Sequence, residues 1–106
     1  MANIYKTVVN DVSNAVNRTL YTTPAGTTAV FNSILVCNDN AAGDDMTVFI
    51  RASNVLHPVF FSKTFSAGTT TQLLTAPLVV ASGDAIILNA ETAGRLHVVA
   101  SVLEVT

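Results

Sequence analysis

Tryptophan is absent from this chain, tyrosine occurs only at Tyr5 and Tyr21, and cysteine only at Cys37. So few flat, hydrogen-bonding rings leave a stacking platform for sugars poorly supplied. A lone cysteine excludes an internal disulfide and leaves the redox compartment open. Cys37 lies in a β-branched run with no histidine or cation beside it in sequence, so it reads as a small buried hydrophobe rather than a nucleophile. Charge is scarce as well: 11% of residues are charged, against about a quarter in ordinary domains. The basic residues Lys6, Arg18, Arg51, Lys63 and Arg95 are scattered and the net charge is −2, so nucleic acid is not an expected partner. No apolar run approaches the roughly 20 residues of a membrane helix, so no membrane is expected either. No charged-then-apolar leader follows Met1, and no secretory signal is expected.

What is present is a succession of strand signals. With 106 residues the chain fits one domain with a single core. The run Thr27–Asn38 has no proline and no charge. It alternates Ala29, Phe31, Ser33, Leu35 and Cys37 against Val30, Asn32, Ile34, Val36 and Asn38. Both faces are mostly apolar, which predicts a central strand covered on both sides. Before it, Pro24-Ala25-Gly26 reads as a turn with proline at the second position. Further strands are expected at Ala15–Thr22, Met46–Ala52, Val59–Phe65, Thr70–Thr75, Leu78–Ala81, Ala85–Ala90 and Leu96–Val105. On Met46–Ala52 the inward side chains are expected to be Met46, Val48, Ile50 and Ala52. Each of the five glycines follows alanine or serine between two such runs, as hairpin turns or bulges require. Pro77 marks a bend, bulge or edge. No amphipathic helical stretch is evident. The expected fold is a single-domain, all-β antiparallel sandwich of jelly-roll type over residues 15–106, with residues 1–14 as an N-terminal arm or an edge strand.

The chemistry-bearing residues do not assemble into a catalytic pattern. His57 precedes a proline, and His97 shares a strand face with Val99, Ser101, Leu103 and Val105; neither has a second ligand at metal spacing. Asp39, Asn40, Asp44 and Asp45 are calcium-type oxygen ligands, but the glycine comes late and no closing glutamate follows, so turn formation is the simpler role. Asn17-Arg18-Thr19 formally matches a glycosylation acceptor, which carries little weight without a secretory signal. No enzyme activity, metal or cofactor is expected. Apolar and hydroxyl-rich surface with little charge instead predicts a subunit of an assembly. The candidate contact residues are Ile4, Tyr5, Val8 and Val9 in the N-terminal segment. A second set, Val55, Leu56, His57 and Pro58, lies in a loop, with Phe60 just beyond. Phe61 and Phe65 fall on one face of the following strand and Phe60 on the other, either as core plus contact surface or as core alone.

The segments Leu20–Val30, Asn32–Asn38, Ala81–Ile86 and the strand after Ala93-Gly94 resemble small all-β virion proteins of tailed bacteriophages. The likeness runs from about residue 16 onward. It implies a structural role such as a capsid decoration (cement) protein, located on the capsid surface after synthesis in the host cytoplasm. It further implies a homo-oligomer, with a trimer favoured, and the major capsid protein as partner. A tail, baseplate or fibre-associated subunit is the alternative within the resemblance. A carbohydrate-binding sandwich using Asp39, Asn40, Asp44 and Asp45 is the alternative outside it.

Overall fold

The computed structural model describes residues 3–12, 17–91 and 96–106. Asn10–Asn14, which reads as a turn or loop in the sequence, continues as strand to Val12; residues 13–14, the strand start expected at Ala15–Val16 and the turn expected at residues 92–95 lie outside the described residues. Nine strands follow in order: β1 (Asn3–Val12), β2 (Arg18–Thr22), β3 (Thr28–Asn38), β4 (Asp44–Ala52), β5 (Val55–Phe65), β6 (Thr69–Gln72), β7 (Leu78–Val80), β8 (Ala85–Ala90) and β9 (Leu96–Val105). No helix occurs among the described residues. One sheet has the order β1-β9-β3-β6, with β7 also paired to β3, and the other has the order β2-β8-β4-β5. Every pairing is antiparallel. This interleaving of early and late strands in two facing sheets is the jelly-roll form of the β-sandwich.

The core fills the space between the sheets. Ala29, Phe31, Ile34 and Val36 of β3 meet Met46, Val48, Ile86 and Leu88 of the second sheet, all buried. Tyr21 closes one side against Phe31, with ring centroids 5.4 Å apart at 85°. On β4, Met46 and Val48 are buried as the alternation predicts, whereas Ile50 and Ala52, expected inward with them, are only half-buried. β3 departs from its alternation. The register with β9 shifts between Phe31 and Ser33, so Asn32 is an extra residue and the strand changes face there. Ala29 and Phe31 are therefore buried together with Ile34, Val36 and Asn38, not with Leu35 and Cys37. Nor is β3 covered on both sides: its outer residues Val30, Leu35 and Cys37 are half-buried or exposed.

Two other expectations need correction. Val55–Pro58 is not a loop but the start of β5, because the connection from β4 is only Ser53-Asn54. Both residues take left-handed φ (53° and 62°), the geometry of a two-residue hairpin whose twist matches its strands. Further along β5, Phe61 and Phe65 do not share a face. The β4 register jumps from Lys63 to Phe60, and Ser62, at φ 46°, donates its N–H to Thr47 Oγ1 at 2.9 Å. That bulge turns Phe61 outward, 76% exposed, while Phe65 is buried and Phe60 packs against the core.

The strand expected at Thr70–Thr75 stops at Gln72. Past it one backbone bond to β3 remains, from the Leu73 N–H to the Ile34 carbonyl at 2.9 Å, and the Gln72 side chain takes over beside it: its Oε1 accepts the N–H of Ile34 at 2.9 Å and of Leu74 at 3.2 Å. Pro77 then lies between β6 and β7, both of which pair with β3. The turn before β3 places Pro24 at its first position rather than its second, since the Pro24 carbonyl accepts the Thr27 N–H at 3.2 Å. Gly26 supplies the positive φ of 75° that this turn demands. Ser82, from the turn between β7 and β8, accepts the Gly26 N–H at 3.1 Å and donates to the Pro24 carbonyl at 3.3 Å. The turn before β3 and the turn between β7 and β8 are thus neighbours, linked through the Ser82 hydroxyl.

Candidate partner interface

Jelly-roll pairing places the outer face of the first sheet in register, and this face is apolar. One row crosses Tyr5, Leu103, Val30 and Val79 on β1, β9, β3 and β7. A second crosses Val9, Val99 and Leu35 and ends at Gln72. Thr7, Ser101 and Ser33 lie between them. Tyr5 is 77% exposed, Val9 67% and Val79 59%. No Asp, Glu, Lys or Arg stands on this face between the two rows. An aligned apolar surface of this kind, with Thr7, Ser101 and Ser33 inside it and His97 beyond its second row, has the composition of an interface centre with a polar rim.

Of the residues singled out in the N-terminal segment, Tyr5 and Val9 belong to this face. Ile4 and Val8 lie on the opposite face of β1: Val8 packs against the core and Ile4, at the edge, is exposed. The segment is not weakly anchored, because β1 pairs with β9 along its whole length. Val55, Leu56, His57 and Pro58 are at the start of β5, opposite Ala52, Arg51, Ile50 and Phe49. β1 ends the first sheet on the side that faces β2, and β5 ends the second on the side that faces β6. The two sets therefore stand on opposite flanks and cannot form one patch. Leu103, Val99, Val30, Leu35 and Val79 complete this face and are not among the residues that the sequence marks as candidate contacts. Their alternation along β3 and β9 was visible, but not which side of the sheet stays uncovered.

Cys37 is half-buried on the outer face rather than in the core, and its cross-strand partner is His97. The histidine absent from its sequence neighbourhood is thus supplied by β9. His97 Nε2 lies 3.1 Å from Asp39 Oδ2, so Asp39 is committed to an ion pair when the imidazole is protonated. Asn40 accepts the Ala42 N–H through its own Oδ1 at 3.2 Å, an Asx turn. Asp44 is buried. No group of three or more His, Cys, Asp or Glu able to hold a metal occurs among the described residues. Asp45 instead joins Thr47, Ser62, Asn89 and Glu91 around a polar depression of about 460 Å³ on the second sheet.

No protein-family model and no curated protein matches this chain.

Proposed function

We propose that this protein is a structural subunit of a tailed-phage virion, a capsid decoration protein that grips the major capsid protein through the outer face of its first sheet. The observation that carries the reading is the pair of uncharged apolar rows built on Tyr5, Leu103, Val30 and Val79 and on Val9, Val99 and Leu35. A flat, rigid, low-charge face of this kind suits a protein that lies across neighbouring shell subunits. The resemblance in sequence supplies the virion context; the sandwich supplies the rigidity. The chain acts by binding, not by catalysis, and needs no cofactor.

Sedimentation with shells of the major capsid protein encoded in the same genome tests this. The unaltered protein is expected to pellet with the shells, and Val99→Glu with Leu103→Glu to stay in solution while melting normally. Val55→Lys, on the far flank, is expected to bind as the parent does. If the parent does not pellet, or the doubly charged variant pellets equally, the decoration reading fails. Pelleting with tails instead would move the protein to the tail or baseplate. One observation favours a second reading, a carbohydrate-binding sandwich: the depression lined by Asp45, Thr47, Ser62, Asn89 and Glu91 offers carboxylate, amide and hydroxyl partners for sugar hydroxyls. Loss of glycan binding in Asn89→Ala would mark that role.

A further inference from the structure

The two sheets have four edges, and three of them are guarded against pairing. β2 is 5 residues long and its register with β8 shifts between Thr19 and Tyr21. β5 carries Pro58, two register shifts and the left-handed Ser62. The remaining edge of the first sheet is split into β6 and β7, of 4 and 3 residues, around Pro77. Short strands, prolines and bulges are the usual devices that stop edge strands from recruiting others. β1 has none of these. It is 10 residues long, lacks proline, and holds an unbroken register with β9. Among the described residues no strand pairs with its other side. Its Lys6, a charge on the core-facing side of an edge, is bound by Glu104 of its own sheet at 3.0 Å.

We infer that β1 pairs with β1 of a second copy, antiparallel about a two-fold axis at Thr7. A long regular edge is a ready template for another regular strand, and β1 is the only edge of that kind among the described residues. Cross-strand partners must share a face, which restricts the axis to a residue position. An axis at Lys6 would set two lysines opposite each other. An axis at Thr7 sets Tyr5 against Val9 of the second copy on the outer face and Lys6 against Val8, with no like charges opposed among residues 4–10. Aromatic and β-branched residues are favourable cross-strand neighbours. About an axis at Thr7, residues 3–11 of the two copies stand opposite one another, and nine residues at about 3.3 Å each run about 30 Å. Taken with the molecule's smallest extent, 21 Å, the flank spans about 620 Å² per copy, somewhat below the roughly 800 Å² of a standard interface. The pairing joins the outer faces of both copies into one surface. It deepens the proposed function by naming a two-fold partner in place of the trimer, yet its chemistry does not depend on a shell.

Cysteine cross-linking tests the register. In a Cys37→Ser background, Thr7→Cys places two thiols directly opposite. Opposed residues stand about 4.5–5.5 Å apart at Cα, within the range a disulfide spans. Mild oxidation is expected to convert most of Thr7→Cys to a covalent dimer. Tyr5→Cys and Val9→Cys should remain uncross-linked alone and give a mixed dimer when combined. Light scattering of the parent should give twice the chain mass. A mass of one or three chains overturns the inference, as does a normally melting Thr7→Cys that stays uncross-linked together with no mixed dimer from Tyr5→Cys and Val9→Cys. A dimer that ignores capsid shells would refute the decoration role and leave this pairing standing.

Discussion

The hydroxyl of Tyr21 on β2 donates a hydrogen bond to Oε2 of Glu104 on β9, tying the two sheets together at one end of an otherwise apolar core. The other carboxylate oxygen is held by Lys6 of β1 at 3.0 Å. Three strands from two sheets therefore converge on one carboxylate. Tyr21→Phe keeps the ring against Phe31 and removes only the donor. A hydrogen bond to a charged group contributes roughly 1.5–3 kcal/mol, and about 1 kcal/mol moves the midpoint of a domain this size by about 4–8 °C. Thermal melts should therefore show Tyr21→Phe folding normally with a midpoint lower by about 6–24 °C. An unchanged midpoint would mean that the hydroxyl bond contributes nothing net.

The same bond sets the pH response. The Tyr21 hydrogen bond, and then Lys6, holds the Glu104 carboxyl below its ordinary value of 4.5. A depressed carboxyl stabilises the fold fully above that ordinary value and loses its contribution as pH falls through the lower, folded-state value. Tyr21 moves the other way: burial first, then the bond to Glu104, raises its phenol above the usual 10. Its contribution is complete below pH 10 and declines as pH rises beyond it. Melting midpoints across pH should thus drop at both ends. Tyr21→Phe should flatten the alkaline drop and weaken the acid one.

The hairpin between β4 and β5 carries its own prediction. Ser53 and Asn54 both have positive φ, which costs an ordinary L-residue about 1–2 kcal/mol, and asparagine or glycine less. Asn-Gly is the preferred pair for this turn. Ser53→Asn with Asn54→Gly should therefore raise stability by about 0.5–1 kcal/mol, measured by urea unfolding. A loss of stability would mean that the turn geometry is something other than two left-handed residues.

Much of the fold was legible because strand signals are local. Alternation and turn residues place β3, β4, β8 and β9 within a residue or two, and an all-β sandwich follows from their number. What escaped was decided by contacts distant in sequence. The bulge at Asn32 and the one at Phe61-Ser62 reverse the alternation, and both are seen only against strands distant in sequence: β9 for the first and β4, with Thr47, for the second. Ser53-Asn54 carried no glycine, so the apolar residues after it read as a loop. The candidate interface was half legible. Tyr5 and Val9 stand out as apolar residues in the first strand, whereas Val99, Leu103 and Val79 do not, because alternation shows that a face exists without showing which side is covered.

Asn38 is a polar residue buried at the end of β3, and its side chain fixes the loop that follows. Its Nδ2 donates to the carbonyls of Ala42 and Phe65, both at 3.0 Å, and its Oδ1 accepts the Asn40 N–H at 3.0 Å. The loop is thereby locked to the end of β5. Asn38→Ala strands the buried Phe65 carbonyl and frees two exposed groups that water can satisfy, so a cost of about 2–3 kcal/mol is expected. Asn38→Asp should cost more at neutral pH, because a carboxylate would face two carbonyl oxygens where an amide donated to them. A protonated acid can still donate once, so the Asp variant should recover part of its lost stability on mild acidification. Urea titrations of both variants at neutral and mildly acidic pH would measure this. Recovery confined to the Asp variant is the expected result, and equal curves for the two would mean that the side-chain amide does not organise the loop.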